Sequence, residues 1–188
     1  MPLRDTGKRM KSDAKRHHRR SLRLKEYDYS QAGAYFVTIC TKNHENIFGE
    51  MDEGIMRLSP AGAIVEAFWK DLPSRYPNVE LDAFVVMPNH VHGSIMIFVG
   101  AIHELPLCQQ TGRRRMLLPK IIGYIKMNTA RRINRLRNAP GTPVWQRNYY
   151  DHVIRNEESL NSIRQYIAEN PQRWVYDKEN PINISVRQ

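Results

Sequence analysis

Two apolar runs separated by a very short turn constrain the fold of this chain more than any other feature. Residues 81–87 and 91–99 are rich in aliphatic and aromatic side chains, and only Pro88, Asn89 and His90 lie between them. Runs of this length and composition favour strands, and so short a connection favours an antiparallel hairpin. The sequence therefore predicts two neighbouring strands, with a pair of histidines where the second one begins.

These histidines, His90 and His92, flank Val91. Successive side chains of a strand point to opposite faces, so both imidazoles are predicted on one face and Val91 on the other. Two imidazoles on one rigid edge can hold a divalent cation when one or two further ligands come from elsewhere. The other interpretation is an ordinary pair of surface or core histidines near a turn, and the spacing alone leaves both open.

Strands and helices alternate along the rest of the chain. The predicted elements are a strand over residues 34–41, a helix from N-cap Ser59 and Pro60 to Pro73, a helix from about Leu118 to Arg137, an extended segment from Val144 to Ile154, and a helix from N-cap Asn156 to Asn170. Residues 42–58, with Gly49 and Gly54, are predicted to be turn-rich. This order predicts an α+β fold, a ferredoxin-like split βαβ antiparallel sheet with helices on one face plus an added C-terminal helix.

Length and composition predict one domain with two flanking segments. A chain of 188 residues suits a single core. Residues 1–25 are polar and basic, which predicts a flexible arm; residues 26–178 are predicted to form the domain and residues 179–188 a tail. The two cysteines, Cys40 and Cys108, fit free thiols in a reducing compartment, and no signal peptide or membrane-spanning run is visible.

The net charge of +10 is concentrated in two blocks. Residues 1–25 hold ten Lys or Arg against two acids, residues 113–137 hold nine against none, and the remainder is acidic. Basic blocks on an acidic body indicate a located site for a polyanion, although charge runs can also be merely solvated. The second block lies on the amphipathic helix whose arginines can pair with phosphates and stack on unpaired bases.

The last predicted helix carries Tyr166 and Asn170, which lie four residues apart and therefore share a face. A half-buried packing tyrosine and a helix-ending asparagine would explain both residues without chemistry. Alternatively, a metal held by the two histidines could polarise a phosphate for attack by the Tyr166 hydroxyl, since a free phenol is a poor nucleophile. The Asn170 amide oxygen could then be the third ligand.

Four motifs along the chain are informative in combination: residues 35–39, residues 85–93 with the two histidines, residues 144–152, and the run from Arg155 through Asn170 and Pro171. In combination they resemble the REP-associated tyrosine transposases, a branch of the IS200-like single-tyrosine HUH transposases. Together they span about residues 22–178. The arm before Arg23 and the segment 100–115 match no pattern of that family.

The resemblance implies a mechanism and a set of site residues. His90, His92 and Asn170 would bind Mg²⁺ or Mn²⁺, and Tyr166 would cut single-stranded DNA beside a hairpin, leaving a 5′-phosphotyrosine and a free 3′-hydroxyl. Tyr149 and Tyr150 are interpreted as packing or DNA-stacking residues. The residues predicted to contact DNA are Arg113, Arg114, Arg115, Lys126, Arg131, Arg132, Arg135, Arg147 and Tyr149.

Two other functions fit the same residues. A domesticated hairpin-DNA-binding regulator would keep the fold without catalysis, and a metallohydrolase that uses water would not need Tyr166. For the transposase we expect a cytoplasmic, nucleoid-associated protein whose partner is single-stranded hairpin DNA and not a membrane. Both a homodimer and a monomer are compatible with the sequence.

Overall fold

The computed structural model describes residues 32–98 and 117–185. The predicted basic arm, the loop over residues 100–115, Cys108 and the arginines at 113, 114 and 115 lie outside these ranges. Within them, the chain forms a four-stranded sheet, a small two-stranded sheet and five α-helices. Among the described residues, no helix combines the length and the apolar character that a membrane crossing requires.

The main sheet has the strand order that a ferredoxin-like fold requires. In chain order the strands are β1 (Gly33–Cys40), β2 (Gly49–Asp52), β3 (Ile55–Leu58), β4 (Val79–Val86), β5 (His90–Ile97) and β6 (Tyr150–Ile154). The sheet runs β4-β5-β1-β6, with each neighbouring pair antiparallel. The helices are α1 (Pro60–Lys70), α2 (Leu72–Arg75), α3 (Leu117–Leu136), α4 (Glu157–Glu169) and α5 (Pro181–Ser185). The predicted α+β split βαβ fold is therefore confirmed.

The predicted helix starts are set by side chains that accept backbone hydrogen bonds. Ser59 accepts a bond from the Gly62 amide at 3.1 Å, and Asn156 accepts one from the Ser159 amide at 2.8 Å. Such caps satisfy amides that have no partner within the helix. The predicted stop at Pro73 is wrong by a few residues, because α1 ends at Lys70 and the proline lies in the first turn of α2, where its missing amide costs nothing.

A hairpin of β2 and β3 occupies part of the stretch that the sequence predicted only as turns. Glu53 and Gly54 connect the strands with positive φ angles of 49° and 78°. Two positive φ angles are typical of the tight turn whose twist matches a hairpin. The strands were missed because each has only four residues and little apolar alternation.

The helices cover both faces of the main sheet. α1 and α3 pack on one face, where Tyr35, Val37, Val91 and Ile95 point into the larger core cluster. α4 packs on the other face, where Leu160 and Ile167 meet Phe36 and Ile154. The added C-terminal helix therefore lies across the sheet from α1 and α3.

Close packing of α1 on the sheet explains the glycine that follows the histidine pair. A Cβ atom at Gly93 would lie 2.2 Å from the Trp69 ring, and that ring is stacked on Phe84 with centroids 4.6 Å apart. A larger residue would push α1 from the sheet. The absence of a side chain at Gly93 thus lets α1 approach the strand that carries the histidines.

Candidate active site

The histidine pair lies at the start of β5 on the face that α4 covers. His90 and His92 are both buried, and their Nε2 atoms are 3.0 Å apart. Val91 points to the opposite face, into the core beneath α1 and α3. The alternation of the strand therefore brings the two imidazoles together as the sequence predicted.

Hydrogen bonds to the other ring nitrogens set the orientation of each histidine. The Asn89 amide nitrogen donates to the carbonyl oxygens of His44 at 3.0 Å and Glu179 at 2.7 Å. Its Oδ1 therefore accepts from His90 Nδ1, at 2.8 Å, which leaves a lone pair on His90 Nε2. The Thr38 hydroxyl lies 2.9 Å from His92 Nδ1 and orients that ring from β1.

Burial keeps both imidazoles neutral. Burial lowers the pKa of His90 to about 4, and nearby Asp177 only partly offsets this effect. Burial and the neighbouring His90 lower the pKa of His92 well below its ordinary value. Neutral imidazole is the form that binds metals, so both rings are in a ligating state near neutral pH.

The spacing of the two rings fits a divalent cation. Adjacent ligands of an octahedral ion with bonds of about 2.1 Å lie about 3.0 Å apart. The two Nε2 atoms are 3.0 Å apart, a separation at which two lone pairs repel unless a proton or a cation lies between them. The residues present therefore suit the Mg²⁺ or Mn²⁺ that the sequence resemblance implies.

A buried carboxylate that the sequence analysis did not identify completes the cluster. Oxygen and nitrogen atoms of Asp177, His90 and His92 all lie within 4.8 Å of one another. Asp177 lies beyond α4, at the end of the short 3-10 helix Trp174–Tyr176. Its Oδ1 accepts from the Glu179 amide at 2.7 Å and its Oδ2 from the Asn170 side chain at 3.1 Å. The arrangement presents two imidazoles and one carboxylate to a common point.

Asn170, at the end of α4, is joined to this cluster through Asp177. Its amide nitrogen donates to the carboxylate, and its side chain is buried. The Asn170 Oδ1 atom is also buried, and no hydrogen-bond partner for it is found among the described residues. A free buried oxygen of this kind is suited to a cation, and the role of Asn170 as a ligand stays a prediction.

Tyr166 lies at the mouth of the cluster. Its hydroxyl is 3.3 Å from His92 Nε2, and its ring packs edge-on against His92 and Phe36. The residue is 37% exposed, so a substrate can reach it. Burial and the Asp177 carboxylate raise the pKa of the phenol to about 12, although Asn170 lowers it in part. The phenolate therefore needs a nearby positive charge to form.

An ion pair fixes the helix that carries Tyr166. Arg164 donates from Nε to both oxygens of Asp82, at 3.0 Å each, and its Nη2 lies 2.9 Å from Oδ1. Asp82 lies on β4, beside an irregularity in its pairing with β5. Partial burial would raise the pKa of Asp82, but the hydrogen bonds from Arg164 and from the Ala83 amide, together with the Arg164 charge, outweigh it and lower the pKa. The bidentate pair joins α4 to β4.

Tyr149 and Tyr150 are adjacent in the sequence but lie in different surroundings. Tyr150 is 46% exposed, and its ring centroid is 6.4 Å from that of Phe36, which also contacts Tyr166. Tyr149 is partly buried against the larger core, with Lys126 Nζ 5.8 Å from its ring centre. Tyr150, and not Tyr149, therefore faces the Tyr166 side of the sheet.

In the described part of the chain, the contacts of Tyr166 include none of the basic residues predicted to bind DNA. Lys126 donates to the carbonyl oxygens of Gln146 at 2.8 Å and Asn148 at 2.6 Å, and burial lowers its pKa to about 8. Exposed arginines of α3 lie on the layer across the sheet from α4; they are Arg131, Arg132 and Arg135. Arg147 is exposed in the segment before β6. The role of these side chains in DNA binding stays a prediction.

Comparison with known proteins identifies a close relative. No protein-family model matches the chain. An uncharacterized protein of Haemophilus influenzae is 41% identical over 167 residues, which cover 86% of this chain and 93% of that protein. The chain belongs to the family of that protein.

Two solved structures align in part with the structure of this chain. One is a REP-associated tyrosine transposase bound to a REP hairpin, with 18% identity, a TM-score of 0.49, and coverage of 82% of this chain and 77% of that one. The other is a proposed transposase from Deinococcus radiodurans R1, with 18% identity, a TM-score of 0.44, and coverage of 78% of this chain and 95% of that one.

Asp177 and the residues that orient the histidines are the parts of the site that sequence reasoning missed. Asn89 adjoins the histidine motif, so a polar partner for His90 could have been suspected there. Thr38 faces His92 only through strand pairing, which sequence periodicity does not define. Asp177 follows a 3-10 helix of only three residues, and nothing in its local sequence marks it as a ligand.

Proposed function

We propose that this protein is a metal-dependent tyrosine DNA endonuclease and strand transferase, a transposase that cuts single-stranded DNA beside hairpins. The observation that carries the proposal is the Tyr166 hydroxyl, 3.3 Å from His92 Nε2 at the edge of a buried cluster of two imidazoles and a carboxylate. A role in packing alone would not require the tyrosine hydroxyl to lie beside a cluster of metal-binding side chains. The motifs shared with single-tyrosine HUH transposases support the same assignment.

His90, His92 and Asp177 would hold the cation, with the Asn170 oxygen as a further ligand. Carboxylate and amide oxygens are suitable ligands for both Mg²⁺ and Mn²⁺. Imidazole is better suited to Mn²⁺, which is the softer ion. A bound cation would polarise the scissile phosphate and stabilise charge on the leaving oxygen. Thr38 and Asn89 hold the two rings in place, and α4 positions the phenol.

The attack by Tyr166 conserves the number of phosphate ester bonds. The phenol oxygen forms a bond to the phosphorus, and the bond from phosphorus to the 3′ oxygen of the adjoining nucleotide breaks. The phenol loses one proton in this step, and the released 3′ oxygen gains one to become a hydroxyl. The 5′ end of the cut strand then remains covalently attached to Tyr166, and a 3′ hydroxyl can reverse the step to join strands.

The nucleic-acid substrate is proposed on charge and on exposed aromatic side chains. The basic blocks over residues 1–25 and 113–137 can neutralise phosphates, which makes affinity strongly dependent on salt. Tyr150 is exposed close to Tyr166 and can stack on an unpaired base. Unpaired bases are available only in single-stranded or flipped DNA, which supports a single-stranded substrate.

The test is formation of a covalent protein–DNA adduct. A labelled single strand carrying a hairpin from the flanks of the protein's own gene is incubated with Mn²⁺ or with EDTA, and the products are run on a denaturing protein gel. Wild type and Tyr150→Phe should give the adduct with Mn²⁺ alone. Tyr166→Phe should give none, because it removes the attacking oxygen and leaves the ring packing intact.

Two other outcomes would replace the proposal. Metal-dependent cleavage that persists in Tyr166→Phe without an adduct would indicate a hydrolase that uses water. Tight binding of the hairpin in the presence of Mn²⁺, with neither an adduct nor cleavage across a tiled set of flanking strands, would indicate a non-catalytic DNA-binding regulator.

A further inference from the structure

A second cluster of metal-binding side chains lies beside the first and has no part in the proposed reaction. It consists of Cys40 at the end of β1, His44 in the turn that follows, and Glu179 beyond α4. Asn89 separates the two clusters. Its amide nitrogen holds the backbone of His44 and Glu179, while its oxygen holds His90.

We propose that Cys40, His44 and Glu179 bind a thiophilic divalent cation, with Zn²⁺ as the best match. Ligating atoms of the three side chains all lie within 4.8 Å of one another. Thiolate, imidazole and carboxylate are the three ligand types of zinc sites, and three protein ligands leave the fourth position to water. The harder Mg²⁺ has little affinity for a thiolate, which separates this site from the first one.

Two of the three distances within the cluster are close to those expected for tetrahedral zinc. Bonds of about 2.3 Å to sulfur and about 2.1 Å to oxygen or nitrogen place sulfur and oxygen about 3.6 Å apart, and nitrogen and oxygen about 3.4 Å apart. Cys40 Sγ is 3.6 Å from Glu179 Oε2, and His44 Nδ1 is 3.2 Å from the same oxygen. The side chains therefore need little movement to take up the ion.

The Nδ1 atom of His44, which points towards Glu179, makes no hydrogen bond within the described residues. His44 Nδ1 is buried, and its contact with Glu179 lacks hydrogen-bond geometry, so the atom has no hydrogen-bond partner among the described residues. The other ring nitrogen, Nε2, lies 2.6 Å from the Gln146 side-chain amide. Rotating that amide by half a turn would let its oxygen accept the Nε2 proton, which is the usual second contact of a metal-bound histidine.

The proposed ion would join three separate parts of the chain. His44 and the preceding Asn43 have φ angles of 55° and 56°, a conformation that non-glycine residues adopt at a cost. That backbone turns the His44 ring towards Glu179, two residues beyond Asp177. A cation bound to Glu179 would therefore also hold the turn that delivers Asp177 to the histidine pair. On binding, the Cys40 thiol proton is released to solvent and the sulfur becomes the ligand.

Cobalt substitution tests this site through the sulfur ligand. Co²⁺ bound to a thiolate gives an intense near-ultraviolet charge-transfer absorption, which histidine and carboxylate ligands do not produce. The chain has two cysteines, so the full-length protein is studied as Cys108→Ser. We expect one equivalent of Co²⁺ to produce the band and Zn²⁺ to abolish it by displacement. Mg²⁺ in large excess should leave the band unchanged.

Variants separate this site from the histidine pair. Adding Cys40→Ser should abolish the band, and adding Glu179→Gln should weaken Co²⁺ binding by more than the roughly 10- to 100-fold that loss of an outer hydrogen bond produces. Adding His92→Gln should leave the band intact. Absence of the band in Cys108→Ser, or its persistence after Cys40→Ser, would overturn the proposal. Because the readout involves no DNA, failure of the transposase assignment would leave this result unaffected.

Discussion

The two faces of the main sheet differ although the same strands build both and helices cover both. Beneath α1 and α3 the sheet presents Val37, Val91 and Ile95, and the contact is aliphatic and aromatic. Beneath α4 it presents Phe36 with Thr38, His90 and His92, and the apolar cluster there is small. β5 therefore contributes to the core with one set of alternate residues and to a polar cluster with the other.

The difference shows how this fold can hold a polar site at low cost. A buried polar group is tolerated when its hydrogen bonds are made, and the histidines are held by Asn89 and Thr38. The apolar face supplies most of the hydrophobic burial, so the α4 face can be specialised. Stability and chemistry should therefore be separable by substitutions on opposite faces of one sheet.

The largest effect is expected on the polar face. In His92→Gln, adduct formation should fall at least about 10³-fold, equivalent to about 4 kcal/mol, because a proposed cation ligand next to Tyr166 is lost. Mn²⁺ should raise the Tm of the wild type more than that of the variant. His152→Gln, at an exposed histidine of β6, is the matched control and should keep both properties. Equal activity of His92→Gln and wild type would remove the histidine pair from the mechanism.

A substitution on the opposite face should lower the stability of the protein without changing its rate of adduct formation. Ile125 of α3 is fully buried in the larger core. Ile125→Ala should lower the free energy of unfolding by about 3 kcal/mol, through lost burial and the cavity left behind. Urea denaturation measures the loss, and adduct formation per folded molecule should stay within about twofold of the wild type. A large fall in that activity would mean that the faces are not independent.

Asp177 should have an intermediate effect on metal affinity. Asp177→Asn keeps the size of the side chain and removes the charge, so affinity for Mn²⁺ should fall by about 10- to 100-fold. Titration calorimetry measures the affinity. Glu158→Gln removes one charge from an exposed position of α4 and should leave it unchanged. Equal affinities in wild type and Asp177→Asn would show that the carboxylate only orients Asn170.

The smallest effect is expected at the start of the helix that carries Tyr166. Asn156→Ala removes the side-chain bond to the Ser159 amide and should cost about 1 kcal/mol of stability. Asn156→Asp retains a hydrogen-bond acceptor and should therefore keep most of the stability that the alanine variant loses. A thermal melt of the three proteins measures the difference. No loss in the alanine variant would show that packing alone holds this end of α4.

Local signals in the sequence predicted most of the fold. The Pro88-Asn89 turn predicts the hairpin, and Ser59 and Asn156 predict the helix starts, because these depend on residues close in sequence. The β2–β3 hairpin was missed because its turn, Glu53-Gly54, lacks the usual Asn-Gly or Asp-Gly pair and its strands are short. Which face α4 would cover depends on long-range packing, and periodicity does not report it.

The candidate site was predictable only in part for the same reason. The alternation around Val91 placed the histidines together, and helical spacing placed Tyr166 and Asn170 on one face. Asp177 reaches the cluster through a 3-10 helix that is too short to leave a periodic pattern in the sequence, so only the three-dimensional structure identifies it. The arginines of α3 were predicted by composition, which reports charge but not the layer on which the charge lies.

Peptide mapping of the covalent adduct tests the central claim most directly. After nuclease and trypsin digestion, Tyr166 lies in the peptide 165–173, while Tyr149 and Tyr150 share the peptide 148–155. The proposed mechanism predicts a nucleotide mass on the peptide 165–173, located at its single tyrosine by fragmentation, and only after incubation with Mn²⁺. A nucleotide on the peptide 148–155 with none on 165–173 would contradict it.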